Sequence, residues 1–415
     1  MTTTNRIPTS HAGSLPRTDA LLAANDARQD TAAGRLTLDS PAGFQPLLES
    51  AVVDLVQRQA DAGITLPGDG EYGKAMSSAV DYGAWWSYSF QRLSGLELLP
   101  GGPFDGEPVL SSPGNVRLTT FPDRRDWTRF AEAYGDPKSG ISVGDRAPSF
   151  PTATGPVRYT GHEAIASDIA HLKTGLAAAG VEQGFITSLS PGSASRIGNT
   201  FYATEEEFIW ATADALREEY RAVIDAGLIL QIDDPSIAEN WDQINPAPTV
   251  EDYLAFTRIR VEALNHALRG LPEDQIRFHL CWGSWHGPHT TDLEFRYLID
   301  TMLEINAGSY SFEGANARHE HEWRIWEDVT LPDGKTIVPG VIGHATNVVE
   351  HPELVADRIQ RFASVVGREN VIASTDCGLG GRIHPQIAWA KLDSLVAGAN
   401  LASERLWKTS TVIGS

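Results

Sequence analysis

Residues 204–233, TEEEFIWATADALREEYRAVIDAGLILQID, run a helix straight into a strand. Thr204 is a residue type that caps helix N-termini, and Glu207 three positions on completes a capping-box pattern. The helix it opens is predicted to stop at Gly227, after which Leu228–Asp233 is a short apolar run ending in a carboxylate. The same alternation repeats outward in both directions. Apolar, β-rich runs stand at Phe185–Leu189, Ile276–Cys281, Ser309–Glu313, Ile337–Ile342 and Val371–Asp376. Helices are predicted over Val250–Leu268, Pro352–Val366 and Gln386–Leu406. Strands alternating with helices imply βα units around a parallel sheet. The expected class is therefore α/β, a closed (β/α)8 TIM barrel first and an open doubly wound sheet second. Residues 83–151 break the rhythm with loop-like pieces such as LPGGPFDGEP. They read as a loop-rich insertion covering one mouth of the barrel, within a single domain spanning 1–415, a length one barrel can absorb.

Composition narrows the function. Hydrophobic residues make up 41% of the chain and charged residues 21%, so a sizeable core is available. The 33 Lys+Arg against 54 Asp+Glu leave a net charge of −21, a field that repels nucleic acid and anionic membranes. The first residues show no basic stretch leading into an apolar one, and no run of 18 apolar residues occurs, so a cytoplasmic protein with no membrane span is expected. The sequence is compatible with a homo-oligomer and does not specify one. No glycine-rich phosphate loop is present.

Two cysteines, Cys281 and Cys377, both fall at predicted strand ends. In that setting reduced thiols are expected rather than a disulfide. His279 and Cys281 are two apart, so on a strand they point the same way. An imidazole with two thiolates suits zinc, and Glu313, at the end of GSYSFE, is the best-placed carboxylate to complete or leave open a fourth position. Taken alone, a buried cysteine is usually a small hydrophobe. Two other groups compete as metal sites, His286 with His289 and His319 with His321, although histidines flanked by aromatics more often make hydrogen bonds.

With these residues in view, the chain resembles the catalytic domain of cobalamin-independent methionine synthase and its wider single-barrel family, which includes epoxyalkane:coenzyme M transferases. The resemblance spans nearly the whole chain apart from the insertion. The family's zinc motifs, His-x-Cys, then Glu, then Asp-Cys-Gly, are matched by His279 and Cys281, Glu313, and Asp376-Cys377-Gly378. This implies a Zn2+ site with His279, Cys281, Glu313 and Cys377 as ligands. SHAGSLPRT resembles the family's substrate-carboxylate loop, which implies that role for Gly13 and Ser14. GDGEYGK and QIDDPSIAE place Glu71, Asp233 and Glu239 where the family's carboxylates surround the homocysteine amino group. From spacing alone, Asp233 and Asp234 read as a turn before Pro235. IGHATN supplies His344, similar to the family's proton-shuttling histidine. One departure concerns the donor. After TGPV (154–157) methionine synthase carries a tryptophan that helps hold folate, whereas here RYTGHE has His162 near that place and no tryptophan. The loops WGSWHGPH and SYSFEGANARHEHEW also differ and suit either a pocket for another donor or lid packing.

The implied chemistry is activation of a small-molecule thiol, homocysteine in the first instance, for attack on a methyl or alkyl donor, with His344 protonating the leaving group. Thiol-dependent epoxide opening is the alternative within the same barrel. Two further classes are a non-catalytic zinc- or thiol-binding barrel and a metal-free lyase acting through Asp233 and His344.

Overall fold

The computed structural model describes residues 5–30, 35–36, 43–74, 88, 92–99, 108–141 and 150–408. The apolar runs form strands β1 (Phe185–Leu189), β2 (Ile229–Asp233), β3 (Ile276–Leu280), β4 (Ser309–Phe312), β5 (Thr336–Ile342) and β6 (Ser374–Thr375). They lie side by side in chain order and are all parallel. Two extended segments, 8–10 and 64–68, close the ring. Ala373 N–H donates to Pro8 O and Ser10 N–H to Ala373 O, each at 2.9 Å. Thr65 and Leu66 N–H both donate to Thr9 O, at 3.1 and 3.0 Å. Gly68 bridges Phe185 in parallel, and Phe185 N–H donates to Pro67 O at 3.1 Å. Eight staves result, and the expected barrel is the one observed.

One predicted strand is shorter than its apolar run. Val371–Asp376 retains only Ser374–Thr375 as regular strand. Ile372 N–H donates to Ile337 O while Ala373 N–H turns to Pro8, and the register against β5 shifts between Gly340 and Ile342. A Cβ on Gly340 would meet Asp376 Oδ1 at 2.0 Å, so only glycine lets the Asp376 side chain pass there.

Helices α1 (Phe44–Ala62), α2 (His162–Ala179), α3 (Glu205–Asp225), α4 (Val250–Leu268), α5 (Pro352–Val366) and α6 (Pro385–Lys408) surround the staves. The capping box of α3 forms with a one-residue offset. Thr204 Oγ1 accepts from Glu207 N–H at 3.1 Å, and Glu207 Oε2 accepts from Ala203 N–H at 3.0 Å. The buried stripe of α3, including Leu216, Tyr220 and Val223, joins Leu230 and Ile232 of β2 in the continuous core. Each such fully buried side chain contributes about 1.5–3 kcal/mol. Between β3 and β4 the usual helix shrinks to Ile299–Leu303, and between β4 and β5 to a 3₁₀ stretch, Glu320–Glu327. Among the described residues, no helix is long and apolar enough to cross a membrane.

Of the inserted segment, 83–87, 89–91, 100–107 and 142–149 lie outside the described residues. Leu96–Leu99 pairs antiparallel with Phe150–Ala153, which runs parallel to Gly198–Asn199. Residues 111–134 bond to the loops that follow β2 and β3. Ser111 N–H reaches Asn245 O, Thr119 N–H reaches Gln243 O, and the Trp285 indole N–H donates to the Tyr134 hydroxyl.

Candidate active site

Most of the candidate residues sit at or just after the C-terminal end of a stave, the face where barrel enzymes carry their chemistry. Gly13 and Ser14 follow the first stave, Glu71 the second, and Asp233 ends β2. Cys281 follows β3, Glu313 follows β4, His344 follows β5 and Cys377 follows β6.

Three of the four proposed metal ligands converge. A ring nitrogen of His279 and the sulfurs of Cys281 and Cys377 lie within 4.8 Å of one another. Cα register pairs His279 with Ser311, and Ser311 Oγ bonds His279 Nδ1 at 2.9 Å. That bond fixes the ring and leaves Nε2 buried with no hydrogen-bond partner of ordinary geometry. Neither cysteine is in a disulfide. Their thiols share a hydrogen bond that pulls the Cys377 thiol well below its usual range and pushes Cys281 well above it. Burial opposes charging His279, but the Cys377 sulfur beside it raises its pKa on balance.

Glu313 stands one step aside. Its carboxylate, with a nitrogen of His344 and an oxygen of Asp376, forms a second group whose atoms lie within 4.8 Å of one another. Trp282 N–H donates to Glu313 Oε1 at 3.0 Å and Asn316 Nδ2 to Oε2 at 2.8 Å. Both nitrogens of His344 are buried without a partner, and burial lowers its pKa. The His344 loop is tied down by Glu350, whose Oε1 accepts from Gly343 N–H at 2.8 Å. Its Oε2 pairs with the fully buried Lys391 at 2.8 Å.

Gly13, Ser14, Glu71 and Asp233, the residues expected around the acceptor, come together. Gly13 has φ 108°, and a Cβ there would lie 2.6 Å from Glu71 Oε1, so only glycine fits this approach. Ser14 O accepts from Leu379 and Gly380 N–H at 2.8 and 2.9 Å, which docks the loop onto the turn carrying Cys377. Thr187 Oγ1 donates to Glu71 Oε1 at 2.8 Å, and Lys74 Nζ stands 3.6 Å from the same oxygen. Gln231 Nε2 donates to Asp233 Oδ1 at 2.7 Å. Burial raises Asp233 to about 7, although His279 nearby works against it.

Glu239 is placed elsewhere. Its oxygens pair with Arg124 Nη1 at 2.7 Å and Arg196 Nη1 at 2.6 Å. Burial would raise its pKa, but the two guanidinium groups hold it down to about 2. It anchors the inserted segment to the loop after β2.

Of the competing histidines, His289 and His319 are engaged with shared acids, whereas His286 Nε2 is buried without a hydrogen-bond partner. His289 bonds Asp292 at 2.9 Å and stacks on Trp285. His319 bonds Glu322 at 2.7 Å and Asp292 at 3.2 Å and stacks on Trp282. Despite burial, Asp292 raises His289 to about 9, and Asp292 with Glu322 raise His319 to about 10. His321 is exposed. Sequence reasoning did not single out Ser311, Lys74 or Arg124. Only Ser311 left a signal, being two residues before Glu313 and hence on the same strand face.

Comparison with known proteins bears on family and fold. The family model described as the catalytic domain of cobalamin-independent synthase matches residues 164–401. A 2-hydroxypropyl-CoM lyase of Xanthobacter autotrophicus is 24% identical over 397 residues, 88% of each chain. A methionine synthase of Thermococcus kodakarensis is 24% identical over 211 residues, 50% of this chain and 54% of its own. Among solved structures, a B12-independent methionine synthase from Shewanella sp. W3-18-1 in complex with selenomethionine superposes with a TM-score of 0.67 at 22% identity. That match covers 97% of this chain and 99% of the other, which shows the shared fold. Matched by the family model over more than half of its 415 residues, the chain belongs to the cobalamin-independent synthase catalytic-domain family.

Proposed function

We propose that the protein is a zinc-dependent thiol alkyltransferase with homocysteine as acceptor. The family supports a thiol-alkylating transferase, and the His279–Cys281–Cys377 trio carries the finer reading. A buried ring nitrogen without a partner costs about 1–3 kcal/mol unless something occupies it. One imidazole and two thiols, with a carboxylate one step away, is a donor set that fits zinc. His279, Cys281 and Cys377 would hold the ion, with Glu313 as the proposed further oxygen donor. Zinc bound there supplies a Lewis acid that keeps a thiol ionised at neutral pH.

The chain's own residues perform the remaining steps. Ser311 fixes the His279 ring, and the Gly340 gap lets Asp376 brace the turn ahead of Cys377. Asp233 and Glu71 would accept hydrogen bonds from the acceptor's ammonium, while the Gly13–Ser14 loop would hold its carboxylate. His344 keeps both nitrogens free to carry a proton to the leaving group. The reading requires both thiols reduced, in keeping with a cytoplasmic location.

A second reading is thiol-dependent opening of an epoxide. It is favoured by the 2-hydroxypropyl-CoM lyase likeness over 88% of both chains, and by Lys74 beside Glu71, which offsets acidity on the acceptor side. Zinc-edge X-ray absorption with and without homocysteine tests the first reading. Two sulfur ligands rising to three supports it. An unchanged count with homocysteine, but a rise with coenzyme M, supports the second, and a protein that takes up no zinc defeats both.

A further inference from the structure

Three buried side chains next to the trio carry more unmet bonding capacity than proton transfer uses. Glu313, His344 and Asp376 are 2%, 1% and 0% exposed, and their ligand atoms lie within 4.8 Å of one another. Both carboxylates are held from behind. Asp376 Oδ1 accepts from Gly314 and Ala315 N–H at 2.8 Å each, and Glu313 is bonded by Trp282 N–H and Asn316 Nδ2. What faces inward is unpartnered, namely Asp376 Oδ2 and both ring nitrogens of His344. Each orphaned buried polar atom carries a desolvation cost. A divalent cation would give these atoms a partner at once.

We propose that Glu313, His344 and Asp376 form a second cation site adjoining the His279–Cys281–Cys377 site. One imidazole and two carboxylates is a harder donor set than the trio and takes a borderline first-row ion such as Zn2+, with no sulfur in its sphere. The backbone amides behind Asp376 and the Trp282 and Asn316 bonds to Glu313 serve as the outer support that metal ligands generally need. Glu313 would be the oxygen donor common to both sites. The functional consequence rests on the transferase reading. An ion at the second site takes the free nitrogen of His344 and removes the proton carrier, so excess zinc inhibits.

Equilibrium dialysis of the full chain against Zn2+ alone, with the metal counted, tests the site without any activity readout. Wild type is expected to bind two ions per chain, and His344→Gln and Asp376→Asn one each. Saturation of wild type at one ion overturns the site, as does His344→Gln holding two. His344 makes no hydrogen bond through its ring, so His344→Gln carries the test even if Asp376→Asn does not fold. Co2+ added to protein already holding one zinc gives a second check. Weak visible bands without a sulfur-to-cobalt charge-transfer band are expected, and an intense charge-transfer band places the ion at the thiols and overturns the site. The two readings fail separately. Absence of thiol alkylation at one zinc per chain sinks the transferase and leaves the stoichiometry intact.

Discussion

Glu239→Gln separates a structural from a substrate-binding role at a residue whose sequence context points to the substrate. Glu239 is 8% exposed and clamped between Arg124 and Arg196. Its pKa falls from 4.5 to about 2, a displacement that corresponds to about 3 kcal/mol favouring the folded, ionised form. The amide keeps one acceptor oxygen but leaves one guanidinium without its charged partner. Breaking a buried pair typically costs about 3–5 kcal/mol, so about 3 kcal/mol is expected here. Arg124 retains Asp242 and Arg196 retains Gln243, which argues for the lower end. For a chain of this length the loss lowers Tm by about 3–4 °C. Because the folded pKa is depressed, the stabilisation is complete above pH 4.5. It is lost as pH falls toward 2, so the gap between wild type and variant closes over that window. Differential scanning calorimetry at pH 7 and across the acid range measures both effects. An unchanged Tm at pH 7, together with a raised KM for homocysteine, would show that Glu239 faces the substrate and refute the clamp.

Other expectations are quicker to state. Cys377→Ser should lose the trio's zinc and thiol alkylation together, read by metal counting and product formation; full retention of zinc in the trio removes Cys377 from the ligand set. His344→Ala should keep zinc in the trio and lose rate by about 10²–10⁴-fold, as for a general acid, and an unchanged kcat excludes that role. Lys391→Met leaves Glu350 buried without its cation. The expected cost is about 3–5 kcal/mol of stability with a lower kcat, and a variant with wild-type Tm and kcat shows that the pair does not position the His344 loop.

The ends of β1 to β5 were legible to within one residue because short apolar runs bounded by polar residues have few other uses in a chain this regular. The first two staves were not. IPTSHAG and ITLPGDG carry no sustained apolar run, and their ladder bonds are made partly by side chains, as Thr65 Oγ1 does for Thr9 N–H. The trio was readable because cysteine is rare here and His279 and Cys281 share a strand face. The clamp on Glu239 was not legible because nothing in QIDDPSIAE signals that Arg124, far back in the inserted segment, and Arg196 reach across to it. The approach of Glu313 to His344 and Asp376 depends on backbone amides at Trp282, Gly314 and Ala315, whose directions no residue pattern encodes.

The stave at 8–10 bonds both to residues near 65 and to Ala373, almost at the other end of the chain. During synthesis at about 5–20 residues per second, that stave waits roughly 20–70 s for its second neighbour to be made. The loop that follows it carries Gly13 and Ser14 and docks on the turn bearing Cys377. A nascent chain therefore has neither a closed barrel nor this loop docked beside Cys377, and both arrive in one late event that a protease or a chaperone would sense as a single transition.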